Sequence, residues 1–598
     1  MDNDTISSLQ VAAGYQIKAC ENLNLGGNCV TYIPGDYGWG GDAANDKFSS
    51  VQITTYASGS GSANRANQGE WSAVVPWPLI PIQAALNPDG QLMTWSSVTD
   101  DRAEAWYADV SKQIQTRVDL WNPASNLHRW IDEKLGNDIF CSGFTHAADG
   151  SLIVVGGSIR EGEGIQASFA YNFVTSAWKK LANLTQKRWY SSATALASGE
   201  VLALGTFSDL PEVFNGTGWR QLTNARNGNY NTFFPWTQSA PNGKVFYAGP
   251  NSQLSYLDTA GAGNITVTGQ RDGIDRYYGS YATYDTGKIL TAGGSNLVPG
   301  SNQNASTTAS VINLNGPVPQ VSSTESMKNK RTYHTLTILS DGQVLATGGT
   351  TSTAAYDANA GVYAAELWNP GSQKWSTLAS QKVTRQYHSF ALLLPDGRVA
   401  SGGGGYCCDS KAAPLRANNP INKPNVEFFS PPYLFDAQGN PARRPAINSA
   451  PEQISYNQGF NVALGSLGDS AQISKLHLIR LGSVTHGVNM EQRLTPLRFN
   501  QSGNTLNANI TPPGYYMLIA VNDKGVPSVA RMIKVGQASW TARSIREKLQ
   551  SDEASIPHEH DGADADHDHA AQAQTADHDH ADQDHGAGEL AVKHTHNE

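Results

Sequence analysis

The feature of this 598-residue chain that most limits its fold is a short segment that recurs seven times. In each copy a turn that contains glycine is followed by an apolar strand that ends in small residues. The turn glycines are Gly90, Gly150, Gly199, Gly243, Gly287, Gly342 and Gly397. Each copy is typical of a hairpin turn that leads into a buried strand, whose terminal small residues let neighbouring backbones approach closely. The sequence therefore predicts seven equivalent β-units.

The spacing of these units favours a ring over a sandwich. A period of roughly 50 residues is typical of kelch blades, whereas a β-sandwich would show shorter and more even spacing. The chain also contains 58 glycines, and only 16% of its residues are charged, which fits an all-β protein with many turns. We predict a seven-bladed kelch-type β-propeller over residues 71–443, which closes the ring and leaves only short edges.

Segments on both sides of the propeller have different patterns. Residues 444–537 alternate apolar and polar side chains between turns, which predicts an immunoglobulin-like β-sandwich. The composition of residues 538–598 predicts a short helix and then a disordered tail rich in His and Asp. Residues 56–70 are interpreted as a linker. The remaining segment, residues 1–55, is treated next.

Residues 1–55 contain the sextets NDTISS and NDKFSS, and they resemble βγ-crystallin domains, which carry such a sextet in each Greek-key half. The resemblance implies a partial Greek-key segment with a possible calcium site at Asn45, Asp46 and Ser49. Only one whole half is present, so we expect the domain to begin before Met1, where a signal peptide could also lie.

Charge and hydropathy exclude some partners. The formal net charge is −10 and no basic stripe is present, which argues against nucleic acid and anionic membranes. The sequence has no run of about 20 apolar residues that could span a bilayer. We expect a monomer that binds small molecules.

The five cysteines raise the question of compartment. Cys20 and Cys29 lie in one turn-rich β segment, Cys407 and Cys408 are adjacent, and Cys141 is left over. If both pairs form disulfides, the protein works in an oxidising, extracellular compartment. The alternative is five buried free thiols.

Reactive side chains precede several of the predicted strands. The candidates are Cys141, Tyr190, Tyr387, His388 and, in the C-terminal domain, His486. Each has an ordinary explanation. The sixth repeat contains a similar Arg331-Thr332-Tyr333-His334 sequence, so Tyr387-His388 could be explained by packing that the repeats share. A single histidine in a sandwich domain is more often a loop residue than a ligand.

The sequence context of these residues resembles the copper-radical oxidases, galactose oxidase most closely and glyoxal oxidase less so. The most specific stretches are QYHSFALLLPDGRV, THGVN with the following QR and PL, and PPGYYMLIAVNDKGVPSVA. The RWY sequence at residues 188–190 looks more like the glyoxal oxidase version. The resemblance covers about residues 71–535.

Carried over by position, the resemblance implies one copper ion bound by Tyr190, Tyr387, His388 and His486. It also implies a thioether between Cys141 and the ring of Tyr190. Imidazole and phenolate ligands with an open position suit Cu(II). Because adjacent strand residues point to opposite faces, Tyr387 and His388 can share a metal only where the backbone is irregular. Cys407-Cys408 is interpreted as a vicinal disulfide near this site, with free thiols as the alternative.

The resemblance further implies oxidation of a primary alcohol, a carbohydrate or an aldehyde by O2, with H2O2 as the second product. Tyr387 would be the general base and Tyr190 the radical. Departures from galactose oxidase leave the substrate open. The candidates for substrate stacking or binding are Phe207, Trp189, Tyr333, Arg271 and Arg276.

Two other hypotheses remain at this stage. One is an inactive kelch protein that binds glycans. The other is a metal-sequestering protein that uses the tail, in which nine of the fifteen histidines lie.

Overall fold

A computed structural model describes residues 8–11, 15–22, 26–32, 35–38, 50–55, 64–96, 116–133, 135–160, 163–296, 305–405, 421–456, 459–502, 505–508 and 513–536. The N-terminal segment contains strands β1 (Ser8–Val11), β2 (Tyr15–Asn22), β3 (Gly26–Tyr32), β4 (Gly35–Gly38) and β5 (Ser50–Thr55). β1 pairs with β4, and β2 lies between β3 and β5. Cys20 is buried and lies opposite Cys29 in the register of β2 and β3.

A helical turn and two short strands lead into the ring. They are α1 (Asn64–Gln68), β6 (Glu70–Trp71) and β7 (Val75–Pro76). Blade 1 then contains β8 (Gln83–Leu86), β9 (Leu92–Trp95), β10 (Thr116–Asn122) and β11 (Leu127–Glu133). Every residue of β8 and β9 is buried, as expected for inner strands with neighbours on both faces.

Blades 2 to 4 repeat this antiparallel arrangement. Blade 2 contains β12 (Gly143–His146), β13 (Leu152–Val155), the short ribbon of β14 (Ser158–Arg160) and β15 (Glu163–Gly164), β16 (Ser168–Asn172) and β17 (Ala177–Lys180). Blade 3 contains β18 (Trp189–Ala195), β19 (Val201–Thr206), β20 (Glu212–Phe214) and β21 (Trp219–Gln221). Blade 4 contains β22 (Trp236–Ser239), β23 (Val245–Gly249), β24 (Gln253–Asp258) and β25 (Asn264–Gln270).

The last three blades complete the ring. Blade 5 contains β26 (Ser280–Asp285), β27 (Lys288–Ala292), β28 (Ala309–Asn313) and β29 (Gln320–Ser323). Blade 6 contains β30 (Thr332–Ile338), β31 (Val344–Thr350), β32 (Ala364–Asn369) and β33 (Lys374–Ser380). Blade 7 contains β34 (Ser389–Leu393), β35 (Val399–Gly403) and β36 (Asn425–Ser430). β6 and β7 pair with β36, so the start of the propeller sequence supplies the outer edge of its last blade and closes the ring.

The C-terminal domain consists of two sheets and a separate hairpin formed by β41 and β42. Its strands are β37 (Pro445–Ser449), β38 (Gln453–Ile454), β39 (Phe460–Leu467), β40 (Ile473–Arg480), β41 (Ser483–Thr485), β42 (Val488–Asn489), β43 (Leu494–Leu497), β44 (Phe499–Ser502), β45 (Thr505–Ala508), β46 (Gly514–Asn522) and β47 (Arg531–Val535). One-turn 3-10 helices lie at Gly228–Tyr230, Ala358–Ala360 and Pro432–Leu434. The predicted seven-bladed propeller and immunoglobulin-like sandwich are confirmed.

One hairpin leaves the C-terminal sandwich and joins the propeller. β41 and β42 form this hairpin, and β41 pairs antiparallel with β8, with Ser483 opposite Ala85 and Thr485 opposite Gln83. The inner edge of blade 1 is thus extended by two strands from a different domain. This pairing fixes the β41–β42 hairpin against β8, the inner strand of blade 1.

Some predictions fall outside the described residues. These are the calcium residues Asn45, Asp46 and Ser49, the Cys407-Cys408 pair, and the helix and tail that follow residue 536. Within the part of the chain that the structure describes, no helix has the length and apolar character needed to cross a membrane.

Candidate metal centre

Five side chains from distant parts of the chain meet in one buried cluster. Cys141 precedes β12, Tyr190 lies in β18, Tyr387 and His388 precede β34, and His486 lies between β41 and β42. The rings of Tyr190 and Tyr387 each lie within about 5 Å of the His486 ring, at 5.1 and 5.2 Å between centroids. All five predicted centre residues are therefore brought together, and each is at most 8% exposed.

The backbone at this cluster is in a conformation that L-residues rarely adopt. Six blades place a non-glycine residue with positive φ nine residues before their turn glycine. These residues are Cys141, Tyr190, Phe234, Tyr278, Tyr333 and His388, with φ between 45° and 67°. Such residues are uncommon and cost of order 1–3 kcal/mol each, and they concentrate at functional sites.

Tyr387 and His388 satisfy the geometric requirement set by their adjacency in sequence. Both precede the first residue of β34, and His388 has a φ of 67°. Their rings stack with centroids 3.9 Å apart. The irregular backbone that a shared site needs is present at this strand end.

A β-bulge directs the side chain of Tyr190. The register of β18 and β19 shifts between Trp189 and Ser192, and Tyr190 has a φ of 47° within that shift. A bulge bends its strand and turns a side chain out of the normal alternation. Tyr190 thus faces His486, while regular pairing of β18 and β19 continues after it.

His486 occupies the tip of the hairpin from the C-terminal domain. Thr485 pairs with Val488, which leaves a two-residue turn of His486 and Gly487 with φ values of 52° and 80°. Two positive φ values are what a type I′ turn requires. Ser280 donates a hydrogen bond to the Gly487 carbonyl at 2.7 Å, and this contact fixes the tip against blade 5.

Each of the two imidazoles has its Nδ1 in a hydrogen bond, and the Nε2 atoms belong to the buried cluster. His388 donates from Nδ1 to the Gly405 carbonyl at 2.8 Å, and Nδ1 of His486 lies 2.6 Å from Thr485 Oγ1. His388 Nε2 has no hydrogen-bond partner among the described residues. Cys141 Sγ lies 3.6 Å from His486 Nε2, and one donor atom from each of Cys141, His388 and His486 falls within 4.8 Å of the others.

Burial sets the protonation state of these two imidazoles. It lowers the pKa of His388 to about 3 and that of His486 well below its ordinary value, so both rings are neutral at neutral pH. A neutral imidazole with one ring nitrogen already hydrogen-bonded offers the other nitrogen to a metal. An unpartnered, buried Nε2 fits a metal ligand better than it fits a packing histidine.

Two phenols complete the donor set, and a third lies next to them. The hydroxyl groups of Tyr190 and Tyr387 contact each other. Burial raises the pKa of Tyr387 well above its ordinary value, and the neighbouring Tyr190 adds to this. Tyr278 makes a side-chain hydrogen bond to Tyr387 and was not predicted from the sequence. Its position nine residues before Gly287 is the signal that could have found it.

The ring that stacks directly on Tyr190 belongs to Trp189 and not to Phe207. Trp189 stacks on Tyr190 with centroids 4.1 Å apart and planes 16° from parallel. Phe207 was the candidate at the position matched to the stacking residue of galactose oxidase, but it lies one layer further out. Its ring stacks on Trp189 at 6.3 Å and is 45% exposed.

The two arginine candidates are buried and hydrogen-bonded to neighbouring groups. Arg271 donates from Nη1 to the Ala248 carbonyl at 2.7 Å, and Arg276 donates to Asp272 and to two backbone carbonyls. Both are at most 2% exposed. Their guanidinium groups are engaged in contacts within the blades, and sugar binding by one of them stays a prediction.

Tyr333 packs beside the centre without facing an open side. Its hydroxyl donates to the Thr353 carbonyl at 2.6 Å, and its ring lies 5.3 Å from that of Tyr387. A cavity beside His486 is instead lined by aromatic residues of blades 4 and 5, including Phe233, Tyr277 and Tyr278.

The fold and the site together define a β-propeller protein with imidazole, phenol and thiol groups gathered in one buried cluster. Two family models match this chain. Residues 118–433 match the family described as glyoxal oxidase N-terminus, and residues 444–535 match the galactose oxidase-like early set domain. The chain therefore belongs to the copper-radical oxidase family.

Individual relatives agree with this assignment. Galactose oxidase of Gibberella zeae is 29% identical over 531 residues, covering 81% of this chain and 73% of the relative. Aldehyde oxidase GLOX of Vitis pseudoreticulata is 26% identical, covering 67% of this chain and 83% of its own. A solved fungal alcohol oxidase of the AA5 family, in complex with copper, is similar with a TM-score of 0.71 and 29% identity. That likeness covers 79% of this chain and all of the other.

Proposed function

We propose that this protein oxidises primary alcohols or aldehydes with O2, using one copper ion and a radical on Tyr190. The balanced reaction for an alcohol is RCH2OH + O2 → RCHO + H2O2. An aldehyde reacts through its hydrate, which has the same hydroxyl and C–H groups and gives the carboxylic acid. The observation that carries the proposal is the meeting of two imidazoles, two phenols and one thiol in a single buried cluster.

The residues present fit copper. His388 and His486 would bind through Nε2, and Tyr190 and Tyr387 through their phenol oxygens, a mixed N and O set that suits Cu(II). When bound, copper supplies a one-electron acceptor and a Lewis acid that makes a substrate hydroxyl more acidic. A cation here would also offset the burial that raises the pKa of Tyr387.

Tyr190 and Cys141 are proposed to supply the second one-electron site. Both belong to the same buried cluster, and Cys141 Sγ contacts His486 Nε2 at 3.6 Å. A thioether at the ortho position of the ring would ease oxidation of the Tyr190 phenol. The Tyr190 radical would then take the hydrogen atom from the substrate carbon, with Trp189 excluding water from one face of the ring.

Tyr387 is proposed to be the general base. As a phenolate it would take the proton of the substrate hydroxyl, which needs hydrogen-bond reach in the bound state. Its hydroxyl already contacts that of Tyr190 and is bonded to Tyr278. These contacts keep the phenol oxygens of Tyr387 and Tyr190 together, which supports the proposal that one takes the hydroxyl proton and the other the carbon-bound hydrogen of the same substrate.

The surroundings of the centre favour apolar or aromatic substrates over galactose. Trp189 and the partly exposed Phe207 form one wall, and Phe233 and Tyr278 line the adjacent cavity. The arginines that could bind sugar hydroxyls are buried and engaged elsewhere. We expect benzylic and aliphatic primary alcohols and their aldehydes to be better substrates than galactose.

We also propose that the protein works outside the cell as a monomer. The opposed positions of Cys20 and Cys29 suit a disulfide, which persists in oxidising compartments. Non-reducing peptide mapping of the secreted protein would test this pairing. A calcium ion at the N-terminal sextet and loose metal binding by the tail remain predictions.

The test combines peptide mapping with a substrate screen. Copper-free protein is loaded with Cu(II) in air, and peroxide formation is measured with benzyl alcohol, butanol, methylglyoxal and galactose. We expect a cross-linked peptide containing Cys141 and Tyr190, two hydrogen atoms lighter than the separate peptides. Cys141→Ser and Tyr190→Phe should lose both the cross-link and peroxide formation.

Tyr333→Phe is the matched control, since its hydroxyl bonds to the Thr353 carbonyl outside the donor set. It should form the cross-link and retain activity. If loaded wild-type protein yields neither the cross-linked peptide nor peroxide from any of these compounds, the proposed function is wrong.

A further inference from the structure

A buried carboxylate lies behind the hairpin that carries His486. Glu491 accepts hydrogen bonds from Arg480 Nε at 2.6 Å, from Ser483 Oγ at 2.8 Å, and from both the backbone N–H and the Nδ1 of His146 at 2.9 and 2.8 Å. Its side chain is only 1% exposed, and those of Arg480 and His146 are at most 3% exposed. We call these four residues the Glu491 cluster.

The Glu491 cluster joins three pieces of the chain that the centre depends on. Arg480 ends β40, Ser483 begins β41, and His146 ends the inner strand β12 of blade 2. Arg480 also donates from Nη2 to the His146 carbonyl at 2.9 Å. Blade 2 and the base of the His486 hairpin are thus tied to each other through one carboxylate.

The two tied pieces carry groups that must meet. Cys141 lies five residues before His146, and His486 lies three residues after Ser483. Their donor atoms, Cys141 Sγ and His486 Nε2, are 3.6 Å apart. A small shift of the hairpin relative to blade 2 would therefore separate the thiol side of the centre from its imidazole side.

The electrostatics of the cluster favour a rigid arrangement. Burial alone would raise the pKa of Glu491, but the charges and hydrogen bonds of His146 and Arg480 lower it to about 2. Several hydrogen-bond donors converge on this buried carboxylate. Removing its charge strongly destabilises the fold, because the buried donors then lose their charged acceptor. Such a group holds its partners in one geometry.

We propose that Glu491 is a positioning residue that sets the place of His486 in the copper centre through Ser483 and blade 2. This inference rests on the proposed function, because it concerns the copper that the centre would hold. Groups that orient metal ligands from outside typically change metal affinity by 10- to 100-fold when they are mutated. Glu491 acts at longer range than a direct hydrogen bond to His486, so we expect a value near the lower end.

The experiment compares Glu491→Gln with wild type in the full chain. Copper affinity is measured by competition with a chelator of known affinity, and the Cu(II) electron paramagnetic resonance spectrum is recorded. We expect the variant to bind Cu(II) roughly tenfold more weakly and to show an altered spectrum. The spectrum reports ligand geometry, which a loss of stability alone would not change.

Glu366→Gln is the matched control. Glu366 is equally buried and accepts from Arg331 at 2.8 Å and from two backbone N–H groups, but it lies in blade 6, which supplies no copper ligand. We expect it to lower the melting temperature as much as Glu491→Gln while leaving copper affinity and spectrum unchanged. Equal loss of copper affinity in both variants would overturn the inference.

Ser483→Ala provides a milder test should Glu491→Gln fail to fold. It removes one hydroxyl that joins the hairpin to the carboxylate, and we expect a loss of copper affinity of severalfold. Ser168→Ala, which removes a buried hydroxyl bonded to the Ala182 carbonyl, is its control. If wild type binds copper and Ser483→Ala binds it equally well with the same spectrum, only this inference fails. If wild type binds no copper, the proposed function fails with it.

Discussion

The indole of Trp189 covers one face of the Tyr190 phenol, although the two residues are neighbours in a strand and should point to opposite faces. The bulge between Trp189 and Ser192 removes that alternation. One local irregularity therefore provides both the proposed radical residue and its aromatic cover. Phe207 extends the stack toward solvent at an interplanar angle of 21°.

Replacing Trp189 should weaken catalysis without unfolding the protein. Aromatic pairs contribute about 0.5–1.5 kcal/mol beyond area burial, so we expect Trp189→Ala to lower kcat/KM by about 2- to 10-fold. Trp189→Phe should recover part of the loss. The radical should also decay faster, which its optical absorption would show.

Trp219→Phe is the control for that experiment. Trp219 also packs on an aromatic ring of blade 3, at 5.2 Å from Phe214, but on the outer strand. Its replacement should leave kcat/KM and the radical lifetime unchanged. A Trp189→Ala protein with the radical lifetime of wild type would contradict the assigned role.

Tyr278→Phe should slow turnover while preserving the packing around Tyr387. The change removes only the hydroxyl that bonds to Tyr387, and a neutral hydrogen bond contributes about 1 kcal/mol. We expect kcat to fall roughly fivefold and the melting temperature to fall only by the small amount that one lost hydrogen bond causes, measured by the peroxide assay and by thermal unfolding. Tyr333→Phe, whose hydroxyl bonds to a backbone carbonyl, should leave kcat unchanged. Equal rates in the two variants would exclude a role for the Tyr278 hydroxyl.

The sequence predicted the ring because its signal is local and repeated. Turn glycines such as Gly150 and Gly342 have φ values of 92°, a conformation that glycine reaches without strain. A motif that needs glycine seven times reveals seven blades. Likewise, the adjacency of Tyr387 and His388 correctly required an irregular backbone.

What the sequence did not reveal depends on long-range packing. Nothing local in the THG segment indicates that β41 pairs with β8 of another domain. The sequence also did not reveal the hydrogen bonds that Arg271 and Arg276 make within the blades. Nothing near a charged residue in the sequence indicates which buried carbonyl groups it will contact. Tyr278 was missed because an aromatic residue before an inner strand is usually a packing residue.

Acid should destabilise the copper-free protein through histidines that are not ligands. Burial lowers the pKa of His477 to about 4 and that of His334 to about 3. The unfolded chain binds a proton at each near pH 6.5, so their contribution to stability is complete above pH 6.5 and is lost as pH falls toward 4 and 3. The free energy of unfolding should therefore decrease from pH 7 to pH 5.

His477→Gln isolates one of these protons. Between pH 7 and pH 5 the variant should lose roughly 2 kcal/mol less unfolding free energy than wild type, because about 1.4 kcal/mol per pH unit applies below pH 6.5. Denaturant unfolding of chelator-treated protein at both pH values gives this difference. Parallel pH dependence in the two proteins would show that His477 does not stay neutral in the fold.

Gly487→Ala should disrupt the centre more than its backbone conformation alone would explain. Gly487 has a φ of 80°, and a Cβ at this position would lie 2.5 Å from the His334 carbonyl oxygen. Gly525 has nearly the same φ, 81°, but no described atom lies within 4 Å of its added Cβ. Both alanine variants carry the strain of a positive φ, about 1 kcal/mol, while only Gly487→Ala must also move the hairpin tip. We therefore expect Gly525→Ala to lose a little stability and to bind copper normally. Gly487→Ala should lose at least tenfold in copper affinity. Chelator competition and thermal unfolding of both variants check this, and equal copper affinity in the two would show that the centre tolerates movement of His486.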